Sequence, residues 1–304
     1  MYAWIKRHPL LLCLSSLCLF VLIGLGSLFY PGYREQAALA AFQRNNPDIH
    51  FYNITYEGSH PKIGRLLDEW GLQNYMNRVV KMSITGDYAA GLLFKEEKNL
   101  EYLQAFPHLR DLTLMGLRLT PEEFSRVRFA HNLKILRVEN CWLRDDGTMI
   151  LENMPHLRSV HANYFRIQHT RISQLPRLRE LDLKNCGAGD TVLESLDEIS
   201  DTLQILGIAN SQVTDDGLRH LLDMKKLKFI DLRHTRRTES GYPPYTWQGI
   251  AQLKDHHSLG GVGLRHTFDA DQLEQLKAVA PRFVTRWDDP VPPSMRKDRI
   301  LPQQ

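Results

Sequence analysis

The sequence predicts an α/β solenoid, with a curved parallel sheet on the concave face, helices on the convex face and an N-terminal transmembrane helix ahead of them. Three observations predict it. An apolar-x-x-apolar-x-apolar frame recurs eight times at a spacing near 24 residues. Helix-start signals follow that frame in several units. Upstream, Leu10 to Tyr30 runs 21 residues without a charge. The 304 residues are 43% hydrophobic and 24% charged, which suits a globular body and excludes a disordered one.

The first element is the apolar run. A 21-residue helix rises about 30 Å, the thickness of a bilayer's hydrocarbon core. Lys6 and Arg7 precede it and favour a cytoplasmic N-terminus over residues 1–9, a span over 10–30 and the remaining chain outside the cytoplasm. A cleaved signal peptide is the rival reading, although its apolar region is usually only about 7–15 residues long. Residues 31–304 carry 36 basic against 35 acidic side chains, so net charge gives no reason to expect a nucleic-acid partner. Four cysteines exclude a disulfide scaffold.

Residues 31–78 read as a cap. Residues 34–44 form an alanine-rich helix stopped by Asn45-Asn46-Pro47. Ile49 to Thr55 alternates like a strand, and Lys62 to Trp70 reads as a helix ended by Gly71. These elements cover the open first edge of the stack.

The repeats occupy residues 79–287. Their frames are Val79/Met82/Ile84, Leu109/Leu112/Leu114, Leu133/Leu136/Val138, Leu157/Val160/Ala162, Leu178/Leu181/Leu183, Leu203/Leu206/Ile208, Leu227/Ile230/Leu232 and Leu259/Val262/Leu264. Successive starts are 30, 24, 24, 21, 25, 24 and 32 residues apart, and Phe283 is placed to begin an incomplete ninth. A single unit cannot bury its apolar edge, so stability comes from stacking. Thr214 reads as an N-cap with acids in the first turn behind it, and Thr120-Pro121-Glu122-Glu123 has the same logic. Leu143-Arg144-Asp145-Asp146-Gly147 is expected to start a helix in the same way. Residues 288–304 begin with three prolines in six residues and read as a disordered tail.

The frame, a Cys or Thr at its ninth position (Cys141, Cys186, Thr235, Thr267) and a T-D-x-G-L helix start resemble the leucine-rich repeat family in its cysteine-containing subclass. The layout, with Pro61, Trp70, Gly71, Tyr75 and Val79 between anchor and repeats, resembles anchored leucine-rich repeat proteins of planctomycete-type bacteria. That resemblance implies a binding role and no assigned activity. Eukaryotic cysteine-containing relatives sit beside an F-box in ubiquitin-ligase adaptors. Here no second module is visible, and the membrane segment argues against that role.

Motifs of catalysis are missing. There is no GxSxG, HExxH, GxxxxGK[ST] or GxGxxG, and no cofactor is implied. Gly260-Gly261-Val262-Gly263 falls inside a frame. Cys141 and Cys186 lie two strand spacings apart, about 10 Å, so they are expected to be free and buried. Leu232-Arg233-His234-Thr235 recurs as Leu264-Arg265-His266-Thr267, which stacks Arg233 on Arg265 and His234 on His266. With Asp231 nearby, this pairing keeps a metal-dependent or acid–base enzyme as one alternative. A self-associating structural envelope protein is another.

Repeat proteins bind with the concave strand face and with inserted loops. The centre of that face gathers Arg137, Glu139, His161, Tyr164, Asp182 and Lys184. Position two of the frame forms a basic ladder through Arg110, Lys134, Arg158, Arg179 and Lys228, suited to an acidic partner or to solvent. The unit starting at Leu227 is 32 residues long, and its excess holds Arg237, Tyr242, Pro243, Pro244, Tyr245 and Trp247. Arginine and aromatics of this kind are enriched in binding hot spots. Alternatively, Trp247 and one tyrosine pack the loop onto the convex side. The sequence thus predicts a membrane-anchored, non-catalytic protein-binding module for an unidentified protein or cell-envelope ligand.

Overall fold

A computed structural model describes residues 30–44, 49–57, 78–86, 100–233, 244–264 and 268–283. The predicted membrane span (apart from Tyr30), the helix expected at 62–70 and the tail lie outside the described residues. Among the described residues no helix is long and apolar enough to cross a membrane.

The described residues open with helix α1 over 30–44. Glu35, buried on this helix, accepts the backbone N–H of Val79 at 2.8 Å, and Phe42 packs on Phe51 and Tyr102 at 5.3 and 5.4 Å between ring centroids. Strand β1 (Ile49–Glu57) then pairs antiparallel with β2 (Arg78–Gly86), so the first edge of the stack is covered.

From β2 onward each unit adds one parallel strand: β3 (Asp111–Met115), β5 (Ile135–Glu139), β8 (Ser159–Asn163), β10 (Glu180–Lys184), β11 (Ile205–Gly207), β12 (Phe229–Asp231) and β13 (Gly261–Gly263). The register is the frame itself, with Leu112 opposite Leu136, Leu136 opposite Val160, and Leu181 between Val160 and Leu206. Frame positions one, four and six are buried throughout, because alternate strand residues point to one face. Phe283 is buried in a short 3-10 turn, and nothing after it belongs to the described residues.

The convex side alternates between two solutions. Helix α2 (Pro121–Ser125) starts at Thr120 with a full capping box, as the spacing predicts. Helices α3 (Asp190–Glu194), α4 (Asp215–Arg219) and α5 (Trp247–Ala251) are also five residues long and continue as 3-10 turns, and α6 (Ala270–Val279) closes the series. The helix expected after Leu143 does not form. Thr148–Glu152 is instead a strand, β7, paired in parallel with β9 (His169–Ser173). Two causes are local. Asp145 and Gly147 adopt positive φ of 59° and 65°, and Asp146 accepts the Thr148 N–H in a turn at 2.9 Å. The third is the 21-residue unit that follows, where extended chain crosses the convex side with fewer residues than a helix needs. Its strand β9 then requires a backbone partner, which β7 supplies. Two further short strands, β4 (Arg118–Leu119) and β6 (Trp142–Leu143), pair along the rim between the two faces.

Candidate functional site

The concave surface is built from frame positions three, five and seven. Arg137 donates to Asp111, which Lys81 also approaches at 3.9 Å. Glu180 is 7% exposed; its Oε2 accepts from Ser159 Oγ at 3.2 Å and lies 3.9 Å from His161 Nε2, while its Oε1 is buried without a partner. Asp231 is 2% exposed and is gripped by the Arg233 guanidinium through Nε and Nη2 at 2.6 to 3.0 Å. Opposite charges thus hold one another, Arg137 and Asp111 across neighbouring strands and Arg233 and Asp231 within one unit, which fixes side chains that would otherwise be mobile.

Asp182 stands between these pairs. Gly207 is its partner on the next strand and Asp231 the one beyond, so no side chain separates the two carboxylates. Burial pushes the Asp182 carboxyl up to about 7, and the charges of Asp231 and Glu180 add to it while Lys184 opposes it. The face therefore changes its charge near neutral pH.

A second feature lies on the rim where the strands end. Frame position eight is a column of left-handed residues: Gly116, Asn140, Tyr164, Asn185 and Asn210, with φ between 51° and 63°. Asn210 donates to Asn185 at 2.7 Å and Asn185 to Asn163 at 2.8 Å. The first four of these turns line an open groove of about 610 Å³ together with Cys141 and Cys186. Tyr164 and Trp142 border it, 60% and 51% exposed, and the Arg166 guanidinium lies 5.7 Å from the Trp142 ring centroid. Arg118 completes the wall. Both cysteines are free, and burial raises both thiols, Cys141 to about 12. Each thiol donates to strand carbonyls, Cys141 to Glu139 and Cys186 to Lys184 and Ala162, as a packing residue would.

Of the residues predicted from sequence, the structure places Arg137, His161, Asp182 and Arg233 together on the concave face and Tyr164 on the rim above them. Tyr245 is a correction. It is 2% exposed, its hydroxyl donates to the Leu232 carbonyl and its ring meets Phe268 edge-on, so it anchors the long loop instead of presenting a contact. Trp247 begins α5 and packs half-buried on the core for the same reason. His234, Arg237, Tyr242, Arg265 and His266 lie outside the described residues. Among the described residues no group of three or more His, Cys, Asp or Glu is placed to hold a metal ion. Trp142, Arg118 and Arg166 went unread in the sequence, yet frame position ten spells Arg118–Trp142–Arg166 in consecutive units.

One strand and one convex segment per unit, with positions one, four and six inside, make an α/β solenoid of stacked repeats. No protein-family model matches the sequence, and neither does any curated protein. Among solved structures, the chain is similar to a leucine-rich repeat protein of Leptospira interrogans, at 15% identity over 73% of this chain with a TM-score of 0.35. The match spans 62% of that chain's length. It is also similar to an internalin of Listeria monocytogenes, at 12% identity over 74% of this chain and 89% of that one with a TM-score of 0.29.

Proposed function

We propose that the protein is a non-catalytic interaction module, anchored by residues 10–30 and displayed outside the cytoplasm, whose rim groove and adjoining concave centre receive a protein or cell-envelope ligand. The observation that carries it is the pair Trp142 and Tyr164, two large aromatics more than half exposed at the border of one groove, next to a fixed array of charges. Aromatics with an arginine beside them concentrate binding energy when a partner covers them. The anchor rests on the uncharged 21-residue run and on Lys6 and Arg7. Cys141 and Cys186 at one frame position, with Thr-Asp-x-Gly at a helix start, support the cysteine-containing subclass, and Pro61, Trp70, Gly71, Tyr75 and Val79 behind the apolar run support an anchored bacterial type.

The test is a photo-crosslinking residue placed at position 164 or 142 of the full chain in its own membrane, with position 275 on α6 as control. Adducts specific to 164 and 142 are expected, with those from 164 lost after Trp142→Ala. Equal labelling from all three positions, or recovery of the chain as a soluble species starting near Ser27, would overturn the reading.

A further inference from the structure

We propose that the edge of the sheet where the strands begin is a second binding surface, and that it takes a linear acidic polysaccharide. Frame position two is hydrogen-bonded from unit to unit: Lys134 N–H to the Arg110 carbonyl at 2.8 Å, Arg158 to Lys134 at 2.8 Å, Arg179 to Arg158 at 2.9 Å and Gln204 to Arg179 at 2.8 Å. This ladder holds four cationic residues in register, one strand spacing of about 4.8 Å apart. A second column stands beside it. Each unit is entered through a β-turn closed by a bond such as Leu109 N–H to Phe106 at 3.1 Å, Leu157 to Met154 at 3.1 Å and Leu178 to Leu175 at 3.2 Å. The third residue of each turn points outward, and these are His108, Asn132, His156 and Arg177.

The two columns enclose a cleft of about 420 Å³ with no carboxylate among its lining residues. Arg110, at one end, is paired with Glu57 at 2.8 Å. Among the described residues Lys134, Arg158, Arg177 and Arg179 have no carboxylate within ion-pair distance. Arg177 contacts His156 Nδ1 at 3.3 Å. Guanidinium has no acceptor, so His156 takes the bond on Nδ1 and carries its ring proton on Nε2, which leaves another donor at the cleft. Stacked like charges on adjacent strands oppose folding. A polyanion laid along the columns removes that repulsion and releases counterions.

Pitch and hydrogen bonding decide between polyanions. An extended polypeptide returns to the same face every 6.8 Å or so, and each DNA strand carries a phosphate about every 3.4 Å of helix axis. Both drift out of step with cations about 4.8 Å apart. A polymer with one carboxylate per pyranose ring adds hydroxyls at every ring, which both donate and accept and so can pair with Asn132 and the histidines that stand beside the cations.

The experiment measures binding of a polygalacturonate octasaccharide to the full chain, across a range of salt concentrations. Arg158→Glu with Arg177→Glu should weaken binding at least tenfold and flatten its salt dependence. Arg158→Gln with Arg177→Gln should weaken it severalfold while leaving the melting temperature equal or higher, which separates loss of the site from loss of the fold. Arg171→Glu with Lys277→Glu makes the same net charge change elsewhere and should leave binding within twofold. An equal loss in that control would overturn the proposal, as would polyglutamate or duplex DNA of matched charge binding as tightly, or no binding at low salt. Trp142→Ala should leave this affinity unchanged, so failure here and failure of the rim groove are distinguishable.

Discussion

Gly217→Ala should destabilise the protein, against the ordinary rule for a helix. Gly217 lies within α4, where alanine normally gains about 1 kcal/mol over glycine. A Cβ at 217 would fall 2.0 Å from Asp190 Oδ1, 2.6 Å from its Cγ and 3.1 Å from its Cβ. Asp190 cannot yield cheaply, because it accepts both the Thr214 N–H at 2.8 Å and the Thr214 hydroxyl at 2.7 Å. Hydrogen bonds to a charged acceptor contribute about 1.5–3 kcal/mol each. Losing most of the two, less the helix gain, gives a cost of about 2–4 kcal/mol. For a body of this size that lowers Tm by about 4–16 °C. The control is Asp190→Ala. In that background Gly217→Ala should lie between neutral and about 1 kcal/mol stabilising, so the double-mutant cycle returns a coupling of roughly 2 kcal/mol or more. Urea unfolding of the four proteins measures it. If Gly217→Ala stabilises the unmodified chain, or costs the same with and without Asp190, the carboxylate clasp does not hold the helices together. The same geometry recurs one unit on, where Asp215 grips Thr246 at 2.7 Å and a Cβ on Gly249 would fall 1.8 Å from Asp215 Oδ1.

Asp182→Asn should stabilise the protein at pH 8 and hardly at all near pH 4. The folded carboxyl, near 7, keeps a proton that the unfolded chain gives up near 3.8, so native stability is lost as pH rises between those values and the variant's advantage grows by about 1.4 kcal/mol per pH unit there; a pH-independent difference in urea unfolding would refute it. Leu181→Ala should cost about 2–5 kcal/mol, since Leu181 is fully buried between Val160 and Leu206, and a cost below 1 would put the register in error. Tyr245→Phe should lower the melting temperature by a few degrees through the lost bond to Leu232, measured by thermal denaturation, with no change in ligand capture.

The strands were legible because burial imposes the same apolar residue types at the same frame positions in every unit. Helix caps were legible at Thr120 and Thr214 because a hydroxyl three residues ahead of an acid or followed by acids has few other local uses. The convex strand at 148–152 was not. Its fate depends on the shortness of the following unit, a relation between neighbours that no single window of sequence carries. Gly217 and Gly249 look like poor helix residues until the aspartate of the preceding unit is placed against them. Tyr245 illustrates the reverse: an aromatic in a long insertion reads equally as a contact or as a packing residue, and only its burial decides for packing.

Within a solenoid, each frame position performs one task along its whole column, so a departure from the column's residue type marks a place where stability is not the governing demand. Position eight takes the left-handed conformation in five described units, and four of them answer with glycine or asparagine, the residues that adopt it at least cost. The fifth is Tyr164, at φ 51° and 60% exposed. It pays for neither its backbone nor its solvation by packing inward. Left-handed strain in a bulky residue is of order 1 kcal/mol, and such strain gathers at functional sites. Tyr164→Asn should therefore raise stability by about 0.5–1 kcal/mol, since asparagine adopts the left-handed conformation at less cost. The same change should abolish ligand-specific crosslinking from the rim groove. If Tyr164→Asn lowered the melting temperature instead, the tyrosine would be a packing residue after all, and the rim would lose its claim as the site.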